Sequence, residues 1–186
     1  MTTAPETPWF PIRTERLLLR ELRADDHDDM HAYASDPDPV RFMEWGPNTP
    51  EVTRERMTFV LGQQTRWPRD TVDLAVELVA VRRMIGSVSL RRDGRGGAAF
   101  GYAYGSPWWR RGYGFEAAQA LATVAFETLG LHRLQATCDV RNAGSIAVLE
   151  KLGMRREGTL RKNLLVRDGW RDTHIYGLLA EDWRAR

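Results

Sequence analysis

The stretch SPWWRRGYGFE, residues 106–116, decides the fold of this chain. It follows an apolar run that predicts a strand over residues 98–104, and it opens a run with helical spacing over residues 112–129. Backbone amides in a glycine-containing turn that enters a helix point to one place and carry partial positive charge, which suits phosphate. Gly112 and Gly114 lack a Cβ, so a phosphate can approach the backbone closely. The stretch predicts a phosphate site, although a tight turn with two solvated arginines is the simpler alternative.

Strand-like and helix-like segments alternate outward from this stretch. The predicted strands are residues 16–22, 71–81, 84–90, 98–104 and 134–140. The predicted helices are residues 24–35, 49–67, 112–129 and 142–152. Asp168-Gly169 joins two strand-like runs, residues 155–166 and 170–179, and is the strongest short signal for a hairpin. These patterns predict a mixed α/β (α+β) fold ending in a β-hairpin, with residues 1–15 as a loose arm and 16–186 as a single domain.

Composition excludes several classes of protein. The 186 residues are 42% hydrophobic, which suits one domain with a real core. A single cysteine, Cys138, excludes an internal disulfide framework and a cysteine-based zinc cluster. The net charge of +2 without a clustered basic stripe argues against nucleic-acid binding. No apolar run reaches the roughly 20 residues of a membrane helix, and the N-terminus lacks a signal-peptide pattern. We therefore expect a cytoplasmic protein without a membrane, nucleic-acid or metal partner.

A second segment, NAGSIAVLEKLGM at residues 142–154, follows the strand after the turn. Together with WRRGYG at residues 109–114, it resembles the GNAT N-acetyltransferase superfamily, most closely its RimJ/RimL-like branch. Further matching segments are TERLLLREL at 14–22, IGSVSL at 85–90, GYAYGSPWW at 101–109 and EGTLRKNLLVRDGWRDTHIYGLL at 157–179. Each match is modest, but their order and spacing over residues 13–182 are highly specific.

The resemblance implies an acyl-CoA N-acyltransferase fold: a bent mixed sheet of about six or seven strands, flanked by helices, with two splayed central strands. It implies acetyl-CoA as co-substrate and no metal. The pantetheine arm would lie between the splayed strands and bind backbone groups, and the pyrophosphate would bind the turn. The cofactor-binding residues implied in this way are Phe100, Tyr102, Tyr104, Arg110, Arg111, Gly112, Tyr113, Gly114, Phe115, Asn142 and Ser145.

The chemistry implied by the resemblance is direct attack of a primary amine on the thioester, with Ser145 placed to protonate the leaving thiolate. Asn142 and Ser145 also have a simpler interpretation. Asn142 could only cap the helix, and Ser145 could be a serine of the first helical turn without a chemical role. The acid that many relatives carry before Gly101-Tyr102 is missing here. Glu44 and Glu77 are the candidate bases, although Glu44 also suits a surface loop and Glu77 an ion pair or a solvent-facing site. Asp139 is a third, weaker candidate, and a relay of waters is another option.

The acceptor is either a protein N-terminus or a small-molecule amine such as an antibiotic or an amino sugar, since one fold hosts many acceptors. Trp45 and Trp67 are candidates for lining its pocket. Exposed tryptophans would also allow a homodimer, which is common in the branch. The alternative function is a non-catalytic acyl-CoA-binding module. A Rossmann nucleotide-binding domain is disfavoured because the glycine turn comes late in the chain.

Overall fold

A computed structural model describes residues 8–185, which form one sheet of eight strands with helices on both faces. The strands are β1 (Ile12–Arg13), β2 (Leu17–Arg20), β3 (Thr71–Leu78), β4 (Arg83–Arg92), β5 (Gly97–Tyr104), β6 (Arg133–Asp139), β7 (Arg155–Val166) and β8 (Gly169–Leu179). The helices are α1 (His27–Ala34), α2 (Pro37–Val40), α3 (Pro50–Gln64), α4 (Tyr113–Thr123), α5 (Ala143–Lys151) and α6 (Ala180–Arg184). A π-helical turn, Val124–Thr128, extends α4.

The strand order is β1-β2-β3-β4-β5-β6-β8-β7, and each neighbouring pair is antiparallel except β5 with β6. The count exceeds the expected six or seven strands because Ile12–Arg13 pairs with Leu18 and Leu19. The same pairing places residues 12 and 13, part of the predicted loose arm, in the sheet. The ring of Phe10 packs edge-on against Trp9 at 5.3 Å and against Trp67 at 5.7 Å. Residues 1–7 of that arm lie outside the described residues.

The two faces of the sheet carry different helices. On one face, α4 and α5 pack against the sheet around Ala118, Leu149 and Leu134, and we call it the α4 face. On the other, α1 and α3 pack around Tyr33 and Met57, and we call it the α1 face. Because neighbouring residues of a strand point to opposite faces, the buried Leu134, Ala136 and Cys138 place the even positions of β6 on the α4 face.

The sheet is bent and then split. A bulge between Val76 and Glu77 shifts the register of β3 against β4, and bulges of this kind increase strand bending and twist. β5 and β6 pair only where residues 97–99 meet residues 133–135, and the strands diverge beyond that point. The mixed, bent sheet, the splayed central strands and the C-terminal hairpin expected from the sequence are therefore confirmed.

None of the helices in residues 8–185 has the length and apolar character needed to cross a membrane.

Candidate active site

The turn before α4 holds an unusual backbone. Arg110 and Gly112 both have left-handed φ angles, +59° and +82°. The first amide that bonds within α4 belongs to Glu116, which donates to the carbonyl of Gly112 at 3.0 Å. The amides of Tyr113, Gly114 and Phe115 therefore have no acceptor within the helix. Three such donors at the positive end of a helix form a cradle for an anion.

Glycine is required in this turn at one of the two predicted positions. At Gly112 the left-handed φ strains any other residue, and an added Cβ would lie 3.3 Å from the Nη2 atom of Arg16. At Gly114 an added Cβ would make only ordinary contacts, at 3.6 Å with the ring of Tyr104 and 3.7 Å with Val148. Gly112 is thus needed for the shape of the backbone.

Arg16 and Glu116 brace the turn, and the sequence patterns did not predict this role. The Glu116 carboxylate accepts hydrogen bonds from Thr14 Oγ1 at 2.5 Å, the Arg16 amide at 2.9 Å and Arg16 Nε at 2.7 Å. Arg16 Nη1 donates in turn to the carbonyl of Arg111 at 3.0 Å, and the guanidinium lies 4.7 Å from the ring centre of Tyr113. Although burial opposes ionisation, the bonds from Thr14 and Arg16 lower the pKa of Glu116.

The gap between β5 and β6 is lined by backbone groups. The Gly105 amide donates to the Ile85 carbonyl of β4 at 3.1 Å. This bond shows which residues of β5 direct their backbone groups toward β4. Residues that bond to β4 alternate with residues that point the other way. Phe100, Tyr102 and Tyr104 therefore direct their backbone groups into the gap, where β6 has diverged. The indole Nε1 of Trp109 binds the Tyr104 carbonyl at 2.8 Å. The remaining donors and acceptors suit an extended ligand that lies along β5 like an added strand.

The side chains of the same three residues form an aromatic row on the α4 face. The ring centres of Phe100 and Tyr102 lie 6.1 Å apart, and those of Tyr102 and Tyr104 lie 6.2 Å apart. The Tyr104 hydroxyl is buried and has no hydrogen-bond partner within residues 8–185. Burial raises its pKa, so the hydroxyl stays protonated. A buried hydroxyl without a partner beside the α4 cradle is a group that a bound ligand can satisfy.

Ser145 lies beside Tyr102, the middle residue of the aromatic row. Its Oγ is 2.9 Å from the Tyr102 hydroxyl, and its backbone amide donates to Asn142 Oδ1 at 3.0 Å. Asn142 therefore caps α5, as one of the two predictions for it states. Burial raises the pKa of Tyr102, whereas the bond to Ser145 opposes that shift. Burial also raises the pKa of the neighbouring Cys138 thiol, to about 11, so this cysteine is a neutral core residue.

The candidate bases have unequal surroundings. Glu77 is buried and accepts from Arg20 Nε at 2.6 Å, an arginine that also binds Asp26. Asp139 is buried, and although burial opposes ionisation, the hydrogen bonds from Arg141 lower its pKa. Both carboxylates are thus engaged by arginine, which favours structural roles for them. Glu44 is exposed and forms no ion pair with the described part of the chain.

The two candidate pocket tryptophans lie against different elements. Trp67 packs against Phe10 of the N-terminal segment. Trp45 is 41% exposed, and its carbonyl accepts from Arg167 of the β7–β8 turn at 3.2 Å. Trp45 alone therefore remains a candidate for the acceptor side, next to the C-terminal hairpin.

The arrangement fits acetyl-CoA as a substrate. The gap-facing backbone of β5 suits a pantetheine arm, and the α4 cradle suits a pyrophosphate. Exposed guanidinium groups of Arg110 and Arg111 add positive charge to the same turn. No group of three potential metal ligands is found among residues 8–185.

A split sheet beside an amide-lined turn defines the acyl-CoA N-acyltransferase class of fold. The chain belongs to the GNAT acetyltransferase family, because residues 16–155 match the family's acetyltransferase (GNAT) domain. The uncharacterized N-acetyltransferase YnaD of Bacillus subtilis is 30% identical over 177 residues, covering 92% of this chain and 98% of that protein. A crystal structure of a GNAT-family acetyltransferase from Bacillus anthracis has a TM-score of 0.80 at 32% identity, covering 91% and 98% of the two chains.

A shorter match joins the chain to an enzyme with a named acceptor. The ribosomal protein uS5-alanine N-acetyltransferase of Escherichia coli is 34% identical over 83 residues, which cover 45% of this chain and 43% of that enzyme. Taken together, the family and the relatives identify the protein as an N-acetyltransferase, which favours the enzyme over the non-catalytic binding module.

Proposed function

We propose that the protein transfers the acetyl group of acetyl-CoA to a primary amine by direct attack, as a member of the RimJ/RimL-like branch. The observation that carries the proposal is the gap between β5 and β6, which ends at the α4 cradle. One extended molecule with a phosphate end can satisfy both features at once.

Each part of the site has a place in this reaction. The neutral amine attacks the thioester carbonyl, and the oxyanion that forms needs a donor such as a gap-facing amide of β5. The C–S bond then breaks, and the thiolate of coenzyme A takes a proton. Ser145 is the proposed proton donor, and its bond to Tyr102 holds the hydroxyl in position. The proton lost by the amine passes to water or to Glu44, the candidate base that no arginine among residues 8–185 engages.

The acceptor is the finer part of the proposal. A peptide N-terminus is the first candidate, supported by the match to the uS5-alanine enzyme. Because that match spans less than half of either chain, small-molecule amines such as amino sugars and antibiotics belong in the same test.

The test is release of free thiol from acetyl-CoA over a panel of peptides, aminoglycosides, polyamines and amino acids. We expect amine-dependent release that is lost when Arg111→Glu is combined with Gly112→Asp, since these changes place negative charge in the cradle. Ser145→Ala should lower kcat by about a hundredfold or more, the range of general acid catalysis, while acetyl-CoA still binds. Tight binding of acetyl-CoA without release on any acceptor would refute the proposal, and absence of binding would refute the cradle.

A further inference from the structure

Arg171 is a buried cation on the α1 face of the sheet. It lies on β8 and is 8% exposed. Its Nε donates to Thr173 Oγ1 at 3.2 Å, and its Nη1 donates to the carbonyl of Phe42. The guanidinium therefore lies between β8 and the loop that joins α2 to α3, residues 41–49.

The charge of Arg171 lacks a direct partner. Within residues 8–185 it forms no ion pair, and its Nη2 has no hydrogen-bond acceptor. Arg20, which is 6% exposed, shows the usual arrangement, because the carboxylates of Asp26 and Glu77 both bind it. A buried charge is unfavourable unless it is paired. Arg171 thus has a donor, Nη2, without an acceptor among residues 8–185, and its charge is hydrogen-bonded by no carboxylate there, although it helps to lower the pKa of Asp139.

Asp139, a carboxylate on the same face, binds another arginine. Asp139 of β6 pairs with Thr173 in the sheet register. Its Oδ1 accepts from the Arg141 amide at 2.8 Å and from Arg141 Nε at 2.9 Å, and its Oδ2 accepts from Arg141 Nη2 at 2.7 Å. Asp139 therefore accepts three hydrogen bonds from Arg141, and it interacts with Arg171 through charge alone rather than through a hydrogen bond.

Arg171 lies at the open end of the split sheet. Asp139 is the last residue of β6, at the end where β6 has left β5. Alternation along β8 places Arg171 on the face opposite Tyr176 and Ser145, across the sheet from the proposed thiolate site. Arg167 donates to the carbonyls of Val40 and Trp45, which holds the overlying loop in place. An acceptor that approached the gap from this face would lie on the side of the sheet that carries Arg171.

We propose that Arg171 binds a carboxylate of the acceptor, so that the acceptor is an amine that also carries an acidic group. The inference rests on the proposed function and narrows its substrate class. Arginine is suited to this role because its planar fork matches a carboxylate. An acidic peptide and an acidic amino acid share this chemistry.

Two matched pairs of acceptors test the proposal and show whether the carboxylate belongs to a peptide or to a free amino acid. The peptides begin Ser-Glu or Ser-Gln and are otherwise identical, and the free amino acids are glutamate and glutamine. We expect kcat/KM to favour the acidic member of one pair by about tenfold or more, the range of a charge-assisted hydrogen bond. Arg171→Gln should abolish that preference, and Arg171→Lys should keep part of it. Equal rates for both members of both pairs would overturn the proposal.

A simple clamp on the loop predicts a different result. If Arg171 only holds the Phe42 carbonyl, Arg171→Gln lowers the rates with the acidic and the neutral acceptor by the same factor, which also overturns the proposal. Arg167→Gln is the matched control, because it releases the same loop and should leave the ratio of the two rates unchanged. Thermal melting of each variant checks that it folds.

A binding measurement keeps the test independent of turnover. Calorimetric titration with the N-acetylated Ser-Glu and Ser-Gln peptides reports recognition of the carboxylate even when no acceptor is acetylated. Tighter binding of the acidic peptide, lost in Arg171→Gln, supports the site. Equal binding of the two peptides overturns it, whatever the outcome for the proposed reaction.

Discussion

Replacing Glu116 with glutamine removes the charge that braces the turn before α4. The amide oxygen can still accept from Thr14 and from the backbone of Arg16. The new NH2 group, however, takes the place of Oε2, which accepts from Arg16 Nε at 2.7 Å and pairs with Nη2 at 2.6 Å. Two donor groups would then face each other, and Arg16 would lose its anchor. Because Arg16 also holds the Arg111 carbonyl, the substitution should loosen the cradle as well.

The loss of stability expected for Glu116→Gln follows from how exposed Glu116 and Arg16 are. Hydrogen bonds to charged groups contribute about 1.5–3 kcal/mol, whereas exposed ion pairs contribute at most about 1 kcal/mol. The Glu116 side chain is 16% exposed and that of Arg16 is 41% exposed, which places this pair between the two cases. We expect a loss of about 1–2 kcal/mol, or a Tm lower by about 2–8 °C for a chain of this size.

Differential scanning calorimetry and the KM for acetyl-CoA measure the two effects. Glu127→Gln is the matched control, because Glu127 lies in the π-helical turn that extends α4 and accepts a bond from Trp183 at 3.2 Å, remote from the cradle. That variant should change Tm less and leave the KM for acetyl-CoA unaltered. An unchanged Tm and KM in Glu116→Gln would refute the brace.

The contact between Glu116 and Arg16 also predicts how the free energy of unfolding changes with pH. The pKa of Glu116 is lowered in the folded state, so its contribution to stability is complete above the unfolded value of about 4.3. As the pH falls below that value and through the folded pKa, the contribution is lost. The difference in unfolding free energy between the wild type and Glu116→Gln should therefore shrink on acidification. A difference that stays constant from pH 7 to pH 3 would contradict this assignment.

Two further substitutions test the backbone and the core. Gly112→Ala should cost about 1–2 kcal/mol for its left-handed φ and raise the KM for acetyl-CoA. Gly94→Ala has a similar φ of +71° in open space, and it should share the loss of stability but not the rise in KM; equal KM values would contradict the role of Gly112. Arg20→Met should cost about 3–5 kcal/mol in urea unfolding, because it leaves the buried Asp26 without an ion pair and Glu77 with only the 3.6 Å pair to Arg23. Arg83→Met, at an exposed pair with Asp29, should cost far less, and similar losses would refute the argument.

Local patterns predicted the elements that depend on nearby residues. Helix α5 begins at Ala143 because the side chain of Asn142 caps it, and the Asp168-Gly169 turn places Gly169 at φ +116°. Spacing alone carries information of this kind. The expectation that Phe100 and Tyr102 line the gap came instead from the resemblance to the acetyltransferase superfamily.

Features that join distant segments could not be found in this way. Arg16 and Glu116 are a hundred positions apart, and neither stands in a local pattern that shows the other. β1 has only two residues, too few for a periodic signal. The sequence pattern placed Glu77 in a strand, but it did not indicate that Arg20 would pair with its carboxylate. Pairings of this kind depend on the tertiary fold rather than on neighbouring residues.

The divergence of β5 from β6 places an unpaired sheet edge inside the molecule. An edge at the border of a sheet is open to any strand that arrives. This edge is enclosed by α4 and α5 on one face and lies near the α2–α3 loop on the other. Only a ligand that is narrow and flexible enough to enter the gap can therefore reach it. The choice of ligand then depends on the shape of the passage, and Phe100, Tyr102 and Tyr104 are left free to build the core behind it.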